Sequence, residues 1–156
     1  MVYLAESHIE QAALDILGNM GYETLFGPDI APGGRISERE SYKDVVLKER
    51  LERGINRLNP SIPEDAQEEA IKKILRTHSP YLIENNKEFH RYLVNGVLVE
   101  YRKDDRIKND IVKIIDFENP QTNEFLAVNQ FTVLENEYNR RPDIVLVING
   151  LPLVVI

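Results

Sequence analysis

An α+β fold is what this sequence predicts, on three observations. Apolar residues at helical spacing fill the stretch before Asn95-Gly96, and short runs rich in Val, Ile and Phe fill the stretch after it. The turns between those later runs are short, so neighbouring strands are joined as a meander and pair largely antiparallel, in a mixed sheet of about five strands. Helices first and strands second separate this pattern from alternating α/β folds.

The first helix is expected from about Ser7 to Met20. Ser7-His8-Ile9-Glu10 has capping-box form, and Ile9, Ala13, Ile16, Leu17 and Met20 follow at helical spacing. From Gly27 to Ser41 the chain carries Gly27, Pro28, Pro32, Gly33 and Gly34 with few apolar residues, which reads as a long, mobile surface loop. Val45, Val46, Leu47, Leu51, Ile55 and Leu58 form a second helical stripe, closed by Asn59-Pro60. A third helix starts at Pro63, with Glu64, Asp65, Glu68 and Glu69 toward its positive dipole end and Ala66, Ala70, Ile71, Ile74 and Leu75 on its apolar face. A short fourth covers about Leu82 to Leu93.

The β half begins with Val97 to Tyr101, then Ile111 to Phe117, then Phe125 to Val133, with turns expected at Lys103 to Lys108 and Glu118 to Asn123. The last two strands flank Asn149-Gly150, a dipeptide that supplies two positive φ angles to a tight hairpin. If those two residues form the loop, Ile148 faces Leu151 and Asp143 faces Ile156, unless Pro152, which lacks a ladder donor, shifts the register by one. The chain stops at Ile156 in mid-strand without a terminating signal, as if cut.

A length of 156 residues suits one domain that buries about two-thirds of its unfolded surface. With no Cys there is neither a disulfide framework nor a thiolate zinc site, and no signal-like N-terminus is present, so a cytoplasmic protein is expected. No apolar run reaches the roughly 18 to 20 residues that span a bilayer, so no membrane association is expected. The 19 basic and 26 acidic residues, a net charge of −7, exclude a fragment that grips a phosphate backbone tightly by itself. They do not exclude phosphodiester hydrolysis, because the metals that assist it are held by carboxylates.

Asp143 is the one carboxylate in a C-terminal stretch otherwise fit for burial. Pattern alone favours a turn cap there, since Arg140, Arg141 and Pro142 precede it. Glu10, as the last member of a capping box, is likewise explained by helix-start chemistry. His8, His78 and His90 lack ligand spacing and read as surface or cap residues. Asn129 and Gln130 sit mid-strand without an evident role. No Gly-rich phosphate loop is present, so ATP is not expected to bind here.

Several strings, taken in order, resemble a known family: Asp44-Val-Val-Leu47, Arg57-Leu-Asn-Pro60, Ala70-Ile71, Asn95-Gly-Val97 with Glu100-Tyr101, Asp116-Phe117 with Asn119-Pro120, Asn129-Gln-Phe-Thr132, and above all Arg140-Arg-Pro-Asp-Ile-Val145 followed by Asn149-Gly-Leu-Pro-Leu153. From Glu6 to Ile156 the chain resembles the N-terminal nuclease domain of the R (HsdR) subunit of type I restriction enzymes, in the PD-(D/E)xK superfamily. That resemblance implies a restriction-endonuclease-like core. The chain would be the N-terminal part of one nuclease domain: a first core helix over 6–20, a helical insert over 42–93 and a sheet over 96–156.

The resemblance also implies a Mg²⁺ site in which Asp143 acts with the Glu and Lys of a following Glu-x-Lys. The chain ends where that motif would come, so the fragment by itself is expected to be inactive. The superfamily often adds an acid from the first core helix; Glu10 occupies that position, with Glu6 a weaker candidate. Arg140 and Arg141 are candidates for contacting DNA beside the scissile bond, or are solvated turn charges. The complete protein would cleave double-stranded DNA after ATP-driven translocation, with the ATP motor further along the polypeptide and with methyltransferase (M) and specificity (S) subunits as partners. The competing expectation is a non-catalytic α+β module that docks onto other subunits or domains.

Overall fold

The computed structural model describes residues 6–156. They divide into two compact units: residues up to Glu49 together with Glu124–Ile156, and the intervening Arg50–Asn123.

The first unit holds α1 (Glu6–Asn19), β1 (Glu23–Phe26), the single-turn α2 (Gly27–Ile30), and the strands of the C-terminal third. With α3 (Lys48–Leu58), α4 (Glu64–Leu75), α5 (Leu82–Asn95), β2 (Val97–Lys103) and β3 (Arg106–Val112) intervening, those strands are β4 (Phe125–Asn129), β5 (Val133–Glu135), β6 (Tyr138–Arg140), β7 (Ile144–Ile148) and β8 (Leu151–Val155). β1 and three of these strands form one sheet in the order β1-β4-β7-β8, with β1 parallel to β4 and the other pairs antiparallel. β7 is apolar throughout, and β4 is apolar up to its last residue, Asn129, because both faces of the sheet are covered. On one face Leu14 and Leu17 of α1 meet Ala127 and Ile144. On the other, Leu126, Val128, Val145 and Val147 pack with Ile30, Leu47 and Phe131.

The α+β class and the mixed, mainly antiparallel sheet hold, while the expected meander is divided. The strand expected over Phe125 to Val133 breaks at Gln130, whose φ is +55°, and resumes as β5, which forms a separate hairpin with β6. β2 and β3 form another. Its turn is Asp104-Asp105, both at positive φ, so Arg106 to Lys108, expected in a loop, lie in strand. The expected strand residues Lys113 to Phe117 do not continue β3. β1, a four-residue Glu-Thr-Leu-Phe strand, has no counterpart in the sequence reading.

The stretch over Gly27 to Ser41 is not a plain surface loop. Ile30 is fully buried, and Arg39 is buried with its guanidinium donating to the backbone oxygens of Asp44 (2.7 Å), Thr132 (2.9 Å) and Tyr42 (3.0 Å). The same group lies 4.1 Å from the centroid of the Phe131 ring. Burial pulls the Arg39 pKa below the usual arginine value, opposed by the Asp44 carboxylate and Tyr42. The helix expected from Val45 starts at Lys48, because Leu47 instead donates its N–H to Gly150 O at 2.9 Å.

The second unit holds α4 against β2, with Ala66, Ala70, Ile74, Val97, Val99 and Tyr101 buried. Its loops are tied by buried amides. Asn59 donates to Lys113 O (2.7 Å) and accepts from Lys113 N–H (2.7 Å), and Gln67 caps the turn after α3 through Asn59 O and Ile62 O. Asn123 and Asp116 close the loop between them in the same way. Above all the backbone N–H of Asn119, then that of Glu118 and the charge of Lys113, hold the Asp116 carboxyl below its usual range against the opposing effect of burial.

A depressed folded-state pKa gives stability that is complete above the unfolded value of about 4 and is lost as pH falls through the folded value. The urea midpoint of Asp116→Asn is therefore expected below wild type at neutral pH, with the gap closing in acid. A gap independent of pH would refute the linkage.

Candidate active site

α1 presents Glu10, Ala13, Leu14 and Leu17 along one stripe, the i, i+3, i+4, i+7 spacing that faces the sheet. Ile9, Ile16 and Met20, expected in the buried stripe, are 59%, 61% and 70% exposed. The packed face is thus rotated from the one the apolar residues suggested, and a half-buried carboxylate occupies its first position. Nor does Glu10 close a capping box on Ser7: the helix already starts at Glu6. Oε1 of Glu10 accepts from the Asn129 amide at 2.7 Å and Oε2 from the Gln130 amide at 2.9 Å. The side chain of Glu6 lies outside the described part.

Asp143 sits one residue before β7, exposed, its backbone oxygen accepting the Gln130 N–H at 3.0 Å. Its carboxylate has no hydrogen bond or ion pair among the described residues. An Asp capping a turn would accept local N–H groups; this one does not. Gln130 therefore touches both sequence-selected acids, through its side chain to Glu10 and its main chain to Asp143.

The hairpin register departs from expectation by one residue. Ile148 pairs with Leu151 as expected, but a bulge between Leu146 and Val147 shifts the remainder. Ile156 consequently exchanges both backbone hydrogen bonds with Ile144 (3.2 and 2.9 Å), not with Asp143. The shift falls beside Pro152, whose nitrogen cannot donate.

Arg140 ends β6, paired with Val133, and Arg141 follows it; both are exposed, and neither side chain has a hydrogen bond or ion pair among the described residues. His8, His78 and His90 are exposed; His8 stands two residues before Glu10, and the other two lie in the Arg50–Asn123 unit. Among the described residues no three His, Cys, Asp or Glu side chains gather closely enough to enclose a metal. A groove of about 670 Å³ runs between α1 and β1, with Gln11, Asp15, Asn19, Thr24 and Asn129 in its wall; neither Glu10 nor Asp143 lines it. No helix among the described residues is long and apolar enough to cross a membrane.

Asn129 and Gln130 are members of this cluster to which the sequence alone assigned no role. A Glu standing at an apolar-stripe position of α1 was the available signal that something polar must face it.

Residues 3–156 match the family described as type I restriction enzyme R protein N terminus. A protein of Methanocaldococcus jannaschii, provisionally named type I restriction enzyme MjaIXP endonuclease subunit, is 39% identical over 150 residues, covering 94% of this chain. The type I restriction enzyme HindI endonuclease subunit of Haemophilus influenzae is 35% identical over 153 residues, covering 97% of this chain. The chain spans 14% of the length of each of these relatives.

Proposed function

This chain belongs to the family of type I restriction enzyme R protein N termini, and from that premise we propose that it forms part of a metal-dependent endonuclease site that cuts double-stranded DNA within a longer polypeptide. ATP-driven translocation belongs to other parts of that polypeptide, and methyltransferase and specificity subunits are its partners. The observation that carries this reading is Gln130 joined both to the Glu10 carboxylate and to the main chain of Asp143, an exposed acid with no described partner.

Carboxylate oxygens are the hard donors that Mg²⁺ takes, and that ion is commonly held by one or two carboxylates while keeping several waters. Asp143 and Glu10 suit such a site: the Asp143 carboxylate has its lone pairs free among the described residues, and that of Glu10 has spare ones beyond the two amide contacts. Bound there, the ion would polarise a phosphoryl oxygen and lower the pKa of its water. The residues themselves hold and orient. Antiparallel pairing sets Ile156 against Ile144, the residue that follows Asp143, and the family resemblance would put the Glu of Glu-x-Lys after that pair.

Plasmid cleavage by the longer protein, with Mg²⁺ and with the metal chelated, tests the reading, and unchanged cleavage by Asp143→Ala would overturn it. Arg140 and Arg141 would meet the phosphate backbone. Replacing either with Ala is expected to weaken DNA binding about equally across sequences and to lower the salt slope of log K by about 1. Fluorescence anisotropy over a salt series measures this, and an unaltered slope would assign both arginines to solvent. A second role, docking onto another part of the longer protein, is favoured by the exposed Leu82, Ile83, Leu98 and Ile111 of the Arg50–Asn123 unit.

A further inference from the structure

We propose that Asn129 and Gln130 are positioning residues for Glu10, and that the left-handed backbone at Gln130 exists to bring both amides onto one carboxylate. The inference rests on the nuclease reading above and adds to it the groups that fix the second acid.

Successive side chains of a strand point to opposite faces of a sheet. Asn129 is the last residue of β4, so in a regular strand Gln130 would project away from whatever Asn129 touches. The φ of +55° at Gln130 cancels that alternation, and the two amides converge on Oε1 and Oε2 of Glu10 at 2.7 and 2.9 Å. Such a φ is uncommon outside Gly, Asn and Asp, and persists where the surroundings impose it. Here they do. The Gln130 N–H is fixed by Asp143 O at 3.0 Å, and Gly27 lies so close that a Cβ built on it would stand 2.5 Å from Gln130 O and 2.6 Å from Asn129 O.

A carboxylate only accepts, so both amides must offer their NH₂ groups. One N–H to each oxygen fixes the plane of the carboxylate and leaves its other lone pairs available. These amides do for an oxygen ligand what hydrogen-bonded partners do for ligands at metal sites generally, where their loss lowers metal affinity or activity about 10- to 100-fold. Because the main chain that carries Gln130 also bonds to Asp143, the two acids are referenced to one peptide.

The experiment uses the intact longer protein and compares Gln130→Gly, Asn129→Ala, Glu10→Ala, Asp143→Ala and the double variant Glu10→Ala/Gln130→Gly. Glycine accepts the left-handed φ without strain, so Gln130→Gly removes the amide and keeps the turn. Three quantities are read: the thermal midpoint, Mn²⁺ affinity from the EPR signal of the free ion, and the rate of Mg²⁺-dependent plasmid cleavage. Gln130→Gly is expected to keep the wild-type midpoint while Mn²⁺ affinity and cleavage each fall about 10- to 100-fold. The double variant is expected to be no worse than Glu10→Ala, because the amide acts through that carboxylate.

Wild-type affinity and cleavage in Gln130→Gly, or losses that add in the double variant, would reduce the amides to a fastening between helix and sheet and overturn the proposal. Should Asn129→Ala not fold, Gln130→Gly decides alone. If Asp143→Ala abolishes cleavage while Gln130→Gly does not affect it, the amide proposal fails and the nuclease reading stands. If Asp143→Ala cuts and binds Mn²⁺ as wild type, the nuclease reading itself fails and takes the proposal with it.

Discussion

Asp143→Ala in the intact longer protein is expected to lower Mg²⁺-dependent cleavage of plasmid DNA by roughly 10³-fold or more while leaving the thermal midpoint within about 1 °C of wild type. The factor follows from what a bound metal contributes to phosphoryl chemistry, several kcal/mol of charge stabilisation, at about 1.4 kcal/mol per tenfold in rate. The unchanged midpoint follows from the environment of the side chain. The Asp143 side chain is exposed and has no hydrogen bond or ion pair among the described residues, and substitutions at such positions shift stability by no more than about 0.5 kcal/mol. A structural aspartate would behave in the opposite way, losing stability and sparing chemistry. Cleavage and melting measured on the same preparation separate the two.

The second large effect concerns folding. Arg39→Met is expected to destabilise the chain by about 3 to 5 kcal/mol, through the loss of three hydrogen bonds from one charged donor. Three backbone oxygens, those of Tyr42, Asp44 and Thr132, would lose their donor together, and each buried acceptor left unpaired costs about 1 to 3 kcal/mol less whatever water recovers. Contact with the Phe131 ring is largely kept by Met, so the comparison isolates the polar part. Arg39→Lys should recover little, because one ammonium cannot reach three divergent carbonyls from the position of a planar fork. Urea denaturation measures the difference. A loss below about 1 kcal/mol would mean that those carbonyls find other partners or water.

Most elements could be read in the sequence because their signals are local. α1, α4 and α5 fall within a few residues of expectation, since each carries its own apolar periodicity and, for α4, its own proline start. The final hairpin was legible in Asn149-Gly150, which takes φ of +47° and +82°. The position of Asp143 was legible too, as one acid before an apolar strand. What was not legible depends on partners distant in the chain. β1 is four residues whose identity as a strand comes from pairing Glu23 with Leu126. Arg39 reads as a loop charge until Thr132 is brought beside it. The Gln130 conformation is invisible because no Gly or Asn marks it, and the inward direction of Glu10 was masked by Ile9 and Ile16, which make an equally good stripe on the wrong face. The bulge at Leu146/Val147 needed the geometry around Pro152, where sequence offered only the possibility of a slip.

The insertion of Arg50–Asn123 within the first unit has a bearing on biosynthesis. Glu10 meets its amides across 119 and 120 positions of chain, and β1 waits for β4 across a similar span. A polypeptide emerging N-terminus first therefore exposes α1 and β1 well before their partners are translated, and early collapse of the inserted stretch would shorten the effective loop to be closed. On the ribosome Glu10 therefore stays without its two amides, and Gln130 without its link to Asp143, until the last quarter of this stretch has been made.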